Sequence, residues 1–326
     1  MEYVRLGRSG LKVSRLGFGC MGIGDKGWRN WVLDEAEGRP VLARALDRGI
    51  NFFDTCDYYS NGRSEEILGA WLKNAVPRRE LVIATKAGNP MGKGPNQRGY
   101  SRKHLFEAID ASLGRLGVGY VDLFQTHIWD PAADLDELVE ALDAIVRAGK
   151  ALYVGITDMP AWQFAKLHHA QAMRGLARFA SVQNHYNAIW REDERELMPF
   201  CRSEGIGLIC YSPMGRGFLC GAGRRDGTAA TERTRTDDYM QKIYGRPADH
   251  AVAAEIERVA ADRGTGAAQV ALAWVLSRPW NIAPIIGATS PAQLDAAVAA
   301  LGLQLTPDEI RAISRAYVPR PLPGEA

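Results

Sequence analysis

Short apolar runs recur along this chain, and each is followed by a stretch with helical periodicity. Leu16 to Cys20 precedes a helix within Asp34 to Arg48, and Asn51 to Asp54 precedes one over Glu65 to Lys73. Glu80 to Lys86 leads to Arg102 to Leu116, Tyr120 to Thr126 to Leu135 to Ala148, and Ala151 to Ile156 to Ala161 to Ala172. Phe179 to Asn184 leads to Asp193 to Ser203, and Ile206 to Tyr211 leads, after a long loop, to His250 to Ser277. Ile282 to Ile286 with Pro291 to Ala300 closes the series. A small hairpin over residues 3 to 15, turning at Arg8-Ser9-Gly10, comes before the first unit. A last helix, capped by Thr306-Pro307-Asp308-Glu309, ends before Val318-Pro319.

The strands are apolar enough to be covered on both faces, which is the pattern of a parallel sheet. Eight strand–helix units predict an α/β fold, a closed (β/α)8 TIM barrel with an N-terminal β-hairpin and a C-terminal extra helix. An open doubly wound sheet is the rival. No internal repeat or Pro/Ser linker divides the chain, so residues 1–326 read as one domain. One region breaks the rhythm: 221–247, GAGRRDGTAATERTRTDDYMQKIYGRP, is long, polar and arginine-rich. A lid over a site and a solvated, mobile loop both fit it.

Composition narrows the function. Forty basic residues against 38 acidic ones leave no broad field for a polyanion, so nucleic acid and membrane surfaces are not expected partners. The five cysteines show neither CxxC nor zinc spacing, which fits thiols in a reducing cytosol and predicts no metal. The N-terminus has no apolar core of a signal peptide, and no run reaches membrane-spanning length, so the expected location is cytoplasmic. A homo-oligomer is left open.

Gly17-Phe18-Gly19-Cys20-Met21-Gly22 spells GxGxxG, but the residues that follow, Ile23-Gly24-Asp25-Lys26-Gly27, are too glycine-rich to open a helix. No second strand ends in an acid at the required distance, so the motif fails on context.

In a barrel of this type, functional groups stand at the carboxyl ends of strands and in the loops after them. The second strand ends in Asp54 and its loop carries Tyr59; the third ends in Lys86; the fourth runs into His127. Singly, each has an ordinary explanation: a turn-forming Asp, an amphipathic Tyr, a solvated Lys, a hydrogen-bonded His. An acid, a phenol, an ammonium and an imidazole on three neighbouring strand ends are much harder to explain as coincidence.

At these residues the sequence resembles the aldo-keto reductase family. The blocks that carry the likeness are Gly49 to Glu66, Ile83 to Lys86, Ser112-Leu113-Gly114-Arg115-Leu116, Tyr120 to Leu123 with His127, Ser181 to Asn184, Tyr211-Ser212-Pro213, Gln269 to Trp274, and Pro284 to Ala288. The arginine-rich loop and the Tyr317-Val318-Pro319 tail point to the bacterial branch that resembles the potassium-channel β subunits. The resemblance implies NADPH-dependent reduction of an aldehyde or ketone by hydride transfer. It makes Tyr59 the proton donor, with Lys86 lowering the phenol's pKa, Asp54 holding Lys86, and His127 orienting the carbonyl. The alternative is an NADPH-binding regulatory or sensor subunit with little turnover.

The resemblance also implies cofactor contacts at Met21, Gly22 and Asp54, with Thr157, Asp158 and Gln183 at the carboxamide and Tyr211 against the nicotinamide ring. Asp158 stands where an amide donor is common in the family. Ser212-Pro213-Met214-Gly215-Arg216 resembles the pyrophosphate loop, and Gly287, Thr289, Ser290 and Gln293 stand where the adenosine 2′-phosphate is held. The basic residue often found there is absent, so Arg233 or Arg235 from the long loop is expected to supply the charge; NADPH is favoured over NADH. The partner implied is a small-molecule carbonyl, with Trp28, Tyr58 and Trp129 as candidate walls of its pocket; Cys56 nearby reads as a small packed residue, a redox-sensitive thiol being the alternative.

Overall fold

The apolar runs become eight parallel strands that hydrogen-bond edge to edge until the last meets the first. The structure, a computed structural model, describes residues 1–221, 231–280 and 282–320. A two-stranded hairpin, β1 (Tyr3–Arg5) and β2 (Lys12–Ser14), comes first. The barrel strands are β3 (Gly17–Gly19), β4 (Phe52–Asp54), β5 (Val82–Ala87), β6 (Val121–Thr126), β7 (Ala151–Thr157), β8 (Phe179–His185), β9 (Gly207–Tyr211) and β10 (Ile282–Ile286). Helices α1 (Glu35–Asp47), α2 (Arg63–Ala75), α3 (Arg102–Leu116), α4 (Leu135–Arg147), α5 (Ala161–Arg174) and α6 (Leu197–Glu204) follow the first six barrel strands in turn. After β9 come α7 (Glu232–Thr236), α8 (Asp238–Ile243), α9 (Pro247–Asp262) and α10 (Ala267–Leu276); α11 (Pro291–Ala299) and α12 (Pro307–Arg315) follow β10.

Two apolar clusters divide the interior. The larger lies between strands and helices; the smaller fills the barrel with Phe52, Val82, Ala84, Leu123, Ile209, Ala283 and Ile285. Leu6 and Val13 of the hairpin join the inner cluster and plug the amino-terminal mouth. The hairpin fits so closely that a Cβ on Gly7, at φ +60°, would stand 2.4 Å from the Gly205 carbonyl oxygen. With one end closed by apolar side chains, polar chemistry is confined to the carboxyl-terminal mouth. Parallel register brings the strand ends there into line: Asp54 pairs with Ala84, and Lys86 with Gln125.

Three sequence expectations need correction. The helix expected over Asp193 to Ser203 is a short 3-10 turn, Glu192–Glu194, followed by α6. The helix expected over His250 to Ser277 is two, α9 and α10, because Gly264 turns left-handed at φ +60° and Gly266 caps the second. The region 221–247 is not loop throughout: α7 and α8 are capped by Thr231 and Asp237, whose side chains accept from Thr234 N and Met240 N. Residues 222–230 of that stretch lie outside the described residues. The expected capping box at Thr306 and Glu309 is present at α12.

Candidate active site

Asp54 is the last residue of β4, and its carboxylate is fully engaged. Oδ1 accepts from Lys86 Nζ at 2.5 Å, and Oδ2 accepts from Gln183 Nε2 at 2.9 Å and Gln125 Nε2 at 3.3 Å. Lys86 Nζ also donates to the Thr55 carbonyl at 2.9 Å. Lys86 and Asp54 are both buried, so water contributes little to holding the charges. Burial works against the Lys86 ammonium, but the charge of Asp54 and the groups beside it outweigh that and hold its pKa above the ordinary value.

Beyond β4 the chain turns sharply. Ser60 and Asn61 adopt left-handed conformations at φ 51° and 53°, and Gly62 follows at 93°. Tyr59, just before them, has the Lys86 ammonium 5.2 Å from its ring centroid and the His127 ring edge-on at 5.6 Å. Burial raises the phenol's pKa above its ordinary value, and the opposing pull of Lys86 does not overcome it. Lys86 lowers this pKa as expected, but burial outweighs it, so the net shift is upward and Tyr59 holds its proton throughout the physiological range. Burial first, then the charge of Lys86, pushes His127 well below the usual imidazole value, so the ring is neutral. Its Nδ1 accepts from Asn89 Nδ2 at 2.7 Å, which leaves the ring proton on Nε2. Asn89 lies three residues beyond Lys86 and lines the same cavity, and the sequence reading passed over it.

These groups open into a cavity of about 850 Å³ at the carboxyl-terminal mouth. Met21, Gly22, Trp28, Tyr58, Thr157, Asp158, Gln183, Tyr211, Ser212, Pro213, Met214, Arg216, Gly287, Thr289 and Gln293 all line it. Gly215, Ser290 and Trp129 do not. Gly215 is buried within the loop. Ser290 caps α11, its Oγ accepting from Gln293 N at 3.3 Å, and Trp129 packs against the core while its neighbour Ile128 lines the cavity. Lys86 stands behind Asp54 and Tyr59 and is not in the wall.

The wall has a flat side. Tyr211 stacks on His185 at 5.0 Å, and His185 stacks on Trp190 at 4.6 Å, so the phenol ring is backed by two further ring planes. The Tyr211 hydroxyl donates to both Asp158 oxygens at 3.1 Å, which is where the structure directs that carboxylate. Burial lifts the Asp158 carboxyl to about 7 despite this bond. Gln183 has turned its amide nitrogen to Asp54, leaving its oxygen as an acceptor. The Thr157 hydroxyl is buried without a hydrogen-bond partner.

The opposite end is cationic. Asp237 accepts from Arg216 Nε at 2.7 Å and Arg233 Nε at 3.4 Å, so two guanidiniums share one carboxylate. Burial, and then Arg216, push Arg233 down to about 10, still charged at neutral pH. Arg235 is exposed and pairs with Glu232 on its own helix, so of the two arginines expected at this end only Arg233 lines the cavity. Ser212 and Arg216 hold left-handed backbone at φ 53° and 55°, conformations that cluster at ligand-binding loops. An unpartnered hydroxyl, a backed aromatic plane and an excess of cations together fit a nicotinamide dinucleotide.

Among the described residues, one set of metal-ligand types converges: Cys56, Asp57 and His127, with one atom from each within 4.8 Å of the others. The charge of Lys86 acts on all three, and Cys56 and Asp57 are buried from solvent, so a cation placed among them meets repulsion. Cys56 is fully buried, as a small packed residue is, and burial raises its thiol well above the ordinary value, which does not favour the redox-sensitive alternative.

Asp57 is buried with neither oxygen hydrogen-bonded, and burial followed by the charge of Glu65 lifts its carboxyl to about 7. Between the unfolded value near 3.8 and 7, the native state binds the extra proton, so stability falls as pH rises through that window. The expected result is that Asp57→Asn flattens the loss of urea stability between pH 5 and 8, by at most roughly 3 kcal/mol. An unchanged slope would show that Asp57 ionises normally.

A model of the aldo/keto reductase family matches residues 15–318. The versiconal hemiacetal acetate reductase of Aspergillus parasiticus is 41% identical, with 100% of each chain covered. An aldo-keto reductase of Fusarium vanettenii is 35% identical over 100% of this chain and 94% of its own. A Schizosaccharomyces pombe protein carried under the name of an aryl-alcohol dehydrogenase is 36% identical over 99% and 97%. These relatives are fungal and give no support to the bacterial branch resembling the potassium-channel β subunits. The features that suggested that branch have structural work here: Arg233 faces Asp237, and the Tyr317 hydroxyl donates to Glu192.

Proposed function

We propose that this chain, which belongs to the aldo/keto reductase family, uses NADPH to reduce an aromatic aldehyde or ketone to the alcohol. The observation that carries the reading is the convergence of a protonated phenol and a neutral imidazole on one cavity wall, with a buried ammonium directly behind the phenol. A bound nicotinamide supplies a hydride to the carbonyl carbon. His127 Nε2–H donates to the carbonyl oxygen and Tyr59 holds its proton toward the same atom, giving it up as negative charge gathers there. The phenolate left behind is penalised by burial and stabilised by the Lys86 ammonium, an attraction that grows only as the proton leaves. Asp54 keeps Lys86 charged and fixed, and through Gln183 ties that charge to the carboxamide end of the site. Thr157 and Gln183 would hold the carboxamide, Tyr211 would lie against the nicotinamide ring, and Arg216 and Arg233 would meet the phosphates.

Trp28 meets Tyr58 edge-on at 5.9 Å and, with Ile128, gives the cavity mouth an apolar wall suited to an aryl group. The names of two relatives, an aryl-alcohol dehydrogenase and a versiconal hemiacetal acetate reductase, support that choice. No helix among the described residues is long and apolar enough to cross a membrane, and we place the protein in the cytoplasm. The test is a panel of aromatic and aliphatic carbonyls with each cofactor. Turnover below about 0.01 per second on all of them, against a typical enzyme median near 10, would favour a sensor over a catalyst.

Cofactor choice has its own test. Arg233 stands in the wall near Gly287, so Arg233→Met should raise the Kd for NADPH roughly tenfold and that for NADH less than threefold, read by fluorescence titration. Equal weakening of both would assign Arg233 to the pyrophosphate they share.

A further inference from the structure

We propose that Arg29 selects carbonyl substrates that carry a carboxylate, an aromatic aldehyde acid being the type. The inference rests on the carbonyl-reductase reading and names the substrate class of that site. It starts from how the charges around the cavity are paired. Lys26 donates to Glu37 at 2.6 Å and lies 3.8 Å from Asp34, while Arg216 and Arg233 share Asp237. The acids in the wall are likewise engaged: Asp54 by Lys86, Asp158 by Tyr211, Glu37 by Lys26, and Glu232 by Asn30 and Arg235. Arg29 lines the same cavity, half-buried, and among the described residues no carboxylate pairs with it.

Its surroundings are aromatic. The guanidinium carbon lies 4.4 Å from the Trp28 ring centroid and 5.7 Å from that of Trp31. Stacking occupies the face of the guanidinium and leaves its N–H edge available, and that edge matches a carboxylate bidentately. Trp28 in turn lies 6.3 Å from the Tyr59 ring, so Arg29 is two ring contacts from the proposed proton donor. An aryl group laid along Trp28 with its carbonyl at Tyr59 and His127 would carry a distal carboxylate toward Arg29. The cation is partly shielded from water, so an arriving anion meets it less screened than at an open surface.

The test compares 4-formylbenzoate with its methyl ester, nearly the same shape without the charge. For the unmodified protein with NADPH, kcat/KM should favour the acid by roughly tenfold to a hundredfold, the range of one charge-assisted hydrogen-bonded pair. Arg29→Met should abolish that preference while leaving the ester within about twofold, and Arg29→Lys should retain part of it. Binding of 4-methylbenzoate, which has no alcohol to oxidise, to the NADP+ complex, measured by calorimetry, reads the same contact without turnover. Arg29-dependent binding with no reduction of either aldehyde would uphold the carboxylate contact and sink the reductase reading. Equal use of acid and ester by the unmodified protein would overturn the proposal. So would an Arg29→Met protein that loses both equally, or one whose main change is weaker NADPH binding, which would move Arg29 to the cofactor phosphates.

Discussion

Tyr59→Phe is expected to lower kcat for aldehyde reduction by roughly a hundredfold to ten-thousandfold while leaving NADPH affinity within about twofold. The phenol is the one group in the site that pairs a dischargeable proton with a cation placed to stabilise the anion it leaves. His127 is neutral and its Nδ1 is already bonded to Asn89, so it can polarise the carbonyl but makes a poor replacement as acid. Phenylalanine keeps the ring and its edge-on contact with His127, so the fold should hold and the loss should fall on the chemical step. Single-turnover rates at saturating aldehyde check this. A parental rate from the phenylalanine protein would remove Tyr59 from the reaction.

The second large effect concerns stability and activity together. Asp54→Ala leaves the Lys86 ammonium buried without its carboxylate, a change that typically costs about 3–5 kcal/mol. Lys86→Met is milder for the fold, because Asp54 keeps two amide donors from Gln183 and Gln125. Converting both, Asp54→Leu with Lys86→Met, should recover much of the stability lost by Asp54→Ala, since two buried charges are replaced by apolar volume. Activity should not return, because nothing then stabilises the Tyr59 phenolate. Urea titration and kcat on the same three proteins separate the two roles. Recovery of both quantities in the double variant would mean that the ion pair is architectural only.

The barrel was legible because its strands are apolar and its helices periodic, and the four central residues because polar side chains at strand ends are rare enough to notice. Gln125 escaped since it sits inside the run Val121 to Thr126, where a single polar residue does not disturb a strand pattern. Asn89 escaped because it belongs to a glycine- and proline-flanked loop with no periodicity, and its meaning is a hydrogen bond across to the next strand's loop. Arg29 carries no sequence signal of its own, because its meaning lies in the pairing of the other charges in the cavity wall. Ser290 shows the reverse: a hydroxyl before a proline and a helix reads as an anion ligand, and the fold shows its oxygen accepting from Gln293 N and lying outside the cavity wall. The direction of the Tyr59 shift was equally out of reach, since it depends on whether burial or the Lys86 charge dominates.

One isotope measurement bears most directly on the idea that this cavity delivers hydride and proton to opposite ends of one carbonyl. An aromatic aldehyde is reduced with each of the two NADPH diastereomers monodeuterated at C4, and the alcohol carbon is analysed for label. If Tyr211, backed by His185, covers one face of the nicotinamide as proposed, only one diastereomer should pass deuterium to the product, and the hydroxyl proton should come from solvent-exchangeable positions. Deuterium from both diastereomers alike, or an alcohol carbon labelled from heavy water instead, would contradict the account.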